Sequence, residues 1–178
     1  MMEDTAIPYE LPEVKDHSFF FIDQCVKTNV EAKLHRHDAW ELYYVVHGCG
    51  RRMAGDTLQP FAAGDVALIP PSMLHRSDSA DKRGYVRYLM VAFSHSLVER
   101  CVDVFPELRN RLAGITFPTD ARKFGSESSR IIRKTLSRMN DQDELGRLCE
   151  MFRLLPVIFT SSDHTFAGKP MRIERAVR

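Results

Sequence analysis

The run from 35 to 45, His-Arg-His-Asp-Ala-Trp-Glu-Leu-Tyr-Tyr-Val, with Gly48 three residues beyond it, constrains this chain more than any other stretch. Residues 40–46 are rich in aromatic and β-branched side chains, which suit a half-buried strand. Side chains on a strand alternate between faces, so 35, 37, 41, 43 and 45 share one side if the strand is unbroken. Asp38 and Ala39 are the point where it can bend. Two imidazoles and a carboxylate are thereby gathered at the mouth of one strand, and a third imidazole, His75, follows a second turn-rich segment. Neutral imidazole with carboxylate is a donor set for zinc, iron, nickel, copper or manganese, and sequence does not rank them.

Runs of the same β-forming character recur at 19–22, 51–54, 66–69 and 85–93. Gly48, Gly50, Gly55-Asp56, Pro60, Gly64-Asp65 and Pro70-Pro71 punctuate them. Short strands with frequent turns predict a barrel or sandwich. Beyond Phe93 the period becomes helical. Ser94 or Ser96 is placed to cap a helix through Val104, stopped by Pro106. Ser126 or Ser128 opens a second, with Ile131, Ile132, Thr135, Leu136 and Met139 on one face and Arg130, Arg133, Lys134 and Arg138, a solvated surface, on the other.

A third helix is predicted from about Asp143 to Phe159. Leu145, Leu148, Phe152, Leu155 and Phe159 form a heptad-like seam, and Met151, Leu154 and Ile158 a second apolar stripe. One stripe can bury against the barrel, which leaves the other for a partner, so a homodimer is expected. Pro156 is expected to break the helix near Leu155. Residues 161–170 collect Ser, Asp, Gly, Lys and Pro and read as an interdomain linker.

Lys and Arg number 25 against 24 Asp and Glu, a net charge of +1, so no global basic field draws this segment to nucleic acid. At 178 residues and 44% hydrophobic it suffices for one domain of ordinary size. No apolar run approaches the roughly 18 residues that span a bilayer. Residues 1–12 have no cationic leader, so a cytoplasmic location is expected, without membrane partners. Cys25, Cys49, Cys101 and Cys149 are widely spaced and read as free thiols.

The spacing His35-x-His37, Glu41, Gly48 resembles the first motif of the cupin superfamily. Gly64, Pro70 and His75 resemble the second, with Ser72 where cupins usually have Gly and Ser79 where they often have Asn. The resemblance implies a cupin, jelly-roll-like β-barrel whose metal positions fall on His35, His37, Glu41 and His75. A closer similarity is to the amino-terminal sensing domain of AraC-type transcription regulators, carried by the run 35–48, by the Gly-Asp-Val-Ala-Leu-Ile-Pro-Pro run at 64–71, and by 171–178, which resembles the opening helix of their DNA-binding domain.

That similarity implies a mainly β fold with α: an arm over 1–16, an effector-binding barrel over 17–93, a helical dimerisation region over 94–160, and over 161–178 a linker and the start of a helix-turn-helix domain that this chain stops short of. It implies no enzyme but a sensor of a small molecule, a sugar among the candidates, acting on DNA only through that further domain. The effector-binding candidates are His35, His37, Glu41, Tyr43 and His75. A divalent metal (Zn, Fe, Ni or Mn) on the His and Glu set stays open, because such sensors often lack metal. A metal-dependent cupin dioxygenase or isomerase carries the same motifs and is the alternative.

Tyr43 shares the parity of the ligand face and is expected to line the pocket, whereas Trp40, Tyr44 and Phe93 are expected in the core or an interface. Arg51, Arg52 and Arg87 are candidates to pair with an acidic effector, with surface exposure the default for each. His47 lies six residues beyond Glu41, too far to join a metal. His17, His95 and His164 read as surface or turn histidines.

Overall fold

Large apolar side chains alternate on both faces of 39–47, so this strand needs cover on two sides, and the computed structural model, which describes residues 14–27, 33–80 and 84–170, provides both. The strands are β1 (Phe19–Lys27), β2 (Ala39–His47), β3 (Cys49–Ala54), β4 (Thr57–Ala62), β5 (Val66–Ile69), β6 (His75–Ser79), β7 (Tyr85–Ser94), β8 (Ala121–Phe124) and β9 (His164–Gly168). The helices are α1 (His95–Val104), α2 (Pro106–Leu112), α3 (Ser126–Asn140) and α4 (Glu144–Thr160). A six-stranded sheet runs β1-β7-β2-β5-β8-β9 and a three-stranded sheet β4-β3-β6, with antiparallel neighbours throughout. The cupin fold is present as two packed sheets rather than as one barrel closed by hydrogen bonds.

Trp40, Leu42, Leu68, Val91 and Phe93 face the helices and pack with Ile132, Leu136, Leu154, Leu155, Ile158 and Phe159. Tyr43, Val45, Ile69, Tyr88 and Met90 face the other way and pack with Ala54, Phe61 and Met73 between the sheets. The central strands of the large sheet are thus buried on both faces, and the inner layer is where polar groups of β2 are taken out of water.

Four strands lie where the sequence analysis places none. β4 contains Pro60, which is tolerated because β4 is an edge of its sheet and no ladder donor is required there. β6 is short and polar, so hydrophobic alternation does not reveal it. β8 falls inside the expected helical region and β9 inside the expected linker. Residues 164–168 form a strand because close backbone approaches pin them to the β3–β4 turn. Gly168 (φ 150°) lies so near Ala54 that a Cβ would come within 2.0 Å of its carbonyl oxygen, and the Asp56 carboxylate accepts the Lys169 N–H at 3.0 Å. Residues 1–13 of the expected arm and 171–178 of the expected helix lie outside the described residues.

The helix boundaries follow local chemistry. Ser94 Oγ accepts the Leu97 N–H at 3.1 Å and caps α1. Pro106 ends α1 but also opens α2, since a first-turn residue needs no N–H partner. Ser126 opens α3 as expected, but the cap is supplied from elsewhere: the Asp163 carboxylate, arriving from just before β9, accepts from the N–H groups of Glu127 and Ser128 at 3.1 and 3.0 Å. Asp143 caps α4 through the Gly146 N–H at 2.8 Å.

Two expectations for α4 are corrected. Pro156 does not break it: the helix continues to Thr160, because Leu154, Leu155, Ile158 and Phe159 on both sides of the proline are buried in one core. The second stripe is not left for a partner either, as Met151, Leu154 and Ile158 are covered by the chain's own core. Leu145, 68% exposed, is the apolar residue of this helix that faces water.

Glu150 ties α4 to α3. Arg138 holds its carboxylate through two bonds, at 2.9 and 2.7 Å, and Arg153 adds a third at 2.7 Å. Arg138 draws the Glu150 carboxyl below its ordinary range, against the upward push of burial. A depressed pKa contributes stability that is present above the unfolded value, near 4.5, and is lost as pH falls through the folded value. Glu150→Gln is therefore expected to cost about 1–2 kcal/mol at pH 7. In urea unfolding that difference should shrink as pH drops below about 4.5.

Candidate functional site

The four expected ligand positions come together, with one ligand atom from each of His35, His37, Glu41 and His75 within 4.8 Å of one another. Three pieces of chain supply them. His35 and His75 exchange backbone bonds as an isolated antiparallel bridge (3.1 and 2.9 Å), which sets their rings 4.3 Å apart. Ser72 adopts φ 62°, the left-handed conformation usually given to glycine, and donates its N–H to the His37 carbonyl at 2.8 Å and its hydroxyl to Asp38 at 2.6 Å. The departure from the glycine of the motif thus leaves the turn intact. Glu41 projects inward from β2 with no exposure.

Hydrogen bonds orient the imidazoles. Nδ1 of His35 lies 2.9 Å from the Lys33 carbonyl and Nδ1 of His75 lies 2.7 Å from the Met73 carbonyl. A carbonyl only accepts, so each Nδ1 carries the proton and a neutral ring turns its Nε2 lone pair toward Glu41. Burial lowers the His35 pKa and favours that neutral form. His75 Nε2 approaches Glu41 Oε2 at 3.0 Å. Two acceptors that close need a positive centre between them, either a proton or a metal cation.

His37 differs: its Nδ1 accepts the Ala39 N–H at 3.3 Å, and its Nε2 stands 2.9 Å from Glu41 Oε1 without the alignment of a hydrogen bond. His35, Glu41 and His75 therefore fit a divalent cation as they stand, while His37 joins them once its ring gives up the Ala39 contact. Burial pushes the Glu41 pKa upward, yet the close imidazoles of His37 and then His75 outweigh it and hold the carboxyl well below its usual range.

Tyr43, on the same face of β2, is buried and donates its hydroxyl to Glu41. His47 stays out of the cluster and stacks on Tyr85 at 4.5 Å. His95 is more than a surface residue, since it accepts the Trp40 indole N–H at 3.3 Å and packs on Phe117. His17 and His164 bond to Ser96 and Ser161 at the periphery. The four cysteines are free.

The residue that exposure arguments miss is Arg52. Arg51 is exposed and Arg87 pairs with Asp23 at 2.5 Å, but Arg52 is only 8% exposed. Its guanidinium carbon lies 4.5 Å from the centre of the Tyr43 ring and 5.2 Å from that of Phe61, and its Nε donates to Ser77 Oγ at 3.1 Å. Such ring contacts contribute about 0.5–2 kcal/mol each, less than the several kcal/mol that an unpaired buried charge costs. The sequence signal was parity: Arg52 shares its face of β3 with Gly50 and Ala54, small residues of an inner layer.

Two packed sheets with inward-facing imidazole, carboxylate, phenol and guanidinium groups make a cupin-type ligand-binding domain. Residues 17–155 match the AraC-like ligand binding domain family, and the chain belongs to that family. Among solved structures, apo ToxT K231A from Vibrio cholerae strain SCE256 is similar with a TM-score of 0.56 at 12% identity, over 84% of this chain and 56% of that one. Unsaturated fatty acid bound wild-type ToxT from the same strain gives 0.55 at 12% identity, over 77% and 50%. An RmlC-like cupin family protein with a double-stranded β-helix fold, from Methanocaldococcus jannaschii, gives 0.41 at 10% identity, over 47% and 76%. At these identities the likeness is one of fold, and this chain spans about half the length of the ToxT chains. No curated protein matches by sequence. No helix among the described residues is long and apolar enough to cross a membrane.

Proposed function

We propose that this domain is the sensing part of a cytoplasmic transcription regulator. It captures a small molecule between its sheets at His35, His37, Glu41, Tyr43 and His75, and passes the occupancy on to a carboxy-terminal helix-turn-helix domain that binds DNA. The observation that carries the reading is the convergence of four ligand-type side chains from three segments on one inner site, in a chain of the AraC-like ligand-binding family. A divalent cation (zinc, iron, nickel or manganese) on His35, His37, Glu41 and His75 would serve as a Lewis acid that binds an effector oxygen. The chain's own groups orient that effector: Tyr43 donates toward Glu41, and the sheet interior excludes water. A sugar would offer hydroxyls to the imidazoles and the carboxylate.

Helix α4 carries dimerisation in this reading, through its water-facing end at Leu145. Leu145→Glu is expected to weaken self-association in sedimentation equilibrium without lowering the unfolding temperature.

The test of the reading is operator binding by the longer protein, with and without effector, compared in wild type and His75→Ala. Linkage requires effector to shift operator affinity in the wild type and to lose that effect in the variant. A shift that survives His75→Ala places the sensor elsewhere. Turnover of a small substrate by this domain, dependent on metal, favours the dioxygenase or isomerase alternative.

A further inference from the structure

We propose that Arg52 anchors a small organic carboxylate between the two sheets. The proposal rests on the sensing role above and deepens it by naming the class of effector.

A guanidinium is a fixed cation, so Arg52 places a positive charge in the inner layer. Nη2 of Arg52 is buried without a hydrogen-bond partner, and no carboxylate among the described residues pairs with it. Two nearby acids are committed elsewhere, Glu41 to His37, His75 and Tyr43 and Asp65 to Lys123 at 2.7 Å, while Asp78 lies on the opposite face of β6 from Ser77, with Oδ2 3.5 Å from Arg76 and Oδ1 buried without a partner. The rings of Tyr43 and Phe61 hold the guanidinium in place but contribute no net charge.

Arg52 also lines a pocket whose walls include Ala54, Phe61, Ala67 and Ile69. The enclosed space there is about 20 Å³, room for one water-sized group such as a carboxylate oxygen, and the pocket opens outward from it. Lys123 reaches the same pocket already neutralised by Asp65. What remains is one unpaired cation against walls that are apolar apart from Gln59 and the Asp65–Lys123 pair. A neutral sugar would leave that charge uncompensated, and a phosphate dianion would need a second free cation. A single carboxylate group matches both the charge and the enclosed space, with the ligand's apolar body left toward the open mouth.

The same pocket adjoins the imidazole cluster. Ala67 and Ile69 are the cross-strand partners of Tyr43 and Glu41. An anion on Arg52 therefore sits against the tyrosine that donates to Glu41, which gives occupancy a direct path to the candidate metal ligands.

The experiment uses acetate, benzoate and octanoate, each beside its neutral amide at constant ionic strength, with thermal unfolding and calorimetry on the whole chain. At least one carboxylate is expected to bind about 10-fold or more tightly than its amide. Arg52→Met is expected to abolish that preference and Arg52→Lys to retain part of it. Without ligand, Arg52→Met should unfold at the wild-type temperature or above, because it removes an uncompensated charge. The proposal is overturned if no carboxylate is preferred by the wild type or if the preference survives Arg52→Met. It is equally overturned if Arg52→Met alone strongly lowers the unfolding temperature, which would make the guanidinium a structural strut. Zinc titration of the same wild-type protein reports the imidazole cluster separately, so failure of the metal reading and failure of the carboxylate proposal are told apart.

Discussion

Leu154→Glu is expected to unfold the domain rather than to dissociate a dimer. Leu154 has no exposed surface and lies with Ile132, Leu136, Leu155 and Ile158 in the layer between the large sheet and the helices. Truncating such a leucine costs about 2–5 kcal/mol through lost transfer energy and the cavity left behind. A carboxylate placed there adds an uncompensated charge, or else the cost of holding it protonated. Together these reach about 5 kcal/mol or more, comparable to the whole stability of many domains. Circular dichroism and gel filtration should show loss of helix signal and an expanded or aggregated chain at 25 °C. Ile158→Glu should behave alike. A folded monomer from either variant would mean that the stripe faces a partner after all.

Helix periodicity therefore located α4, but it could not say which covering surface each stripe would find. Spacing alone shows that Met151, Leu154 and Ile158 share a face; that α3 and the sheet cover this face is a tertiary fact. Pro156 shows the same limit. The local rule predicts a break, and burial on both sides of the proline overrides it. β8 and β9 were hidden because short strands of mixed polarity carry no alternation, and because the Gly168–Ala54 approach that fixes β9 spans more than a hundred residues.

The clustering of the candidate site was more legible than the fold around it. A His-x-His pair, a glutamate on the same parity and a distant histidine after a turn are separated by chemistry that few structural roles require. Their convergence follows from the β2 register and the His35–His75 bridge. Arg52 was named by type as a partner for an acidic effector, but its burial was not legible, since an arginine in an exposed-looking pair defaults to solvent. Its parity with Gly50 and Ala54 was the available clue, and only the neighbouring sheet turned parity into burial.

Glu41→Gln is expected to weaken zinc or cobalt binding by at least about 100-fold while leaving the fold in place, a larger loss than is usual for groups that only support a ligand. The carboxylate is the one anionic donor of the cluster, fully buried and held ionised by His37 and His75 against the cost of its burial. Glutamine keeps the shape and an acceptor oxygen but not the charge that offsets a dication. The site should also be acid-sensitive, because metal competes with protons for its ligands, so wild-type affinity should fall on acidification. The folded pKa of Glu41 is depressed, so its contribution to stability is present above the unfolded value of 4.5 and is lost as acid protonates the folded form. In chelator, thermal unfolding of wild type should therefore weaken more on acidification than that of Glu41→Gln. Cobalt absorption and calorimetry read the affinity, and unfolding with EDTA reads the fold. Zinc held equally tightly by glutamine at this position would remove Glu41 from the ligand set and leave the three imidazoles, with Tyr43 and Arg52, to bind effector without a metal.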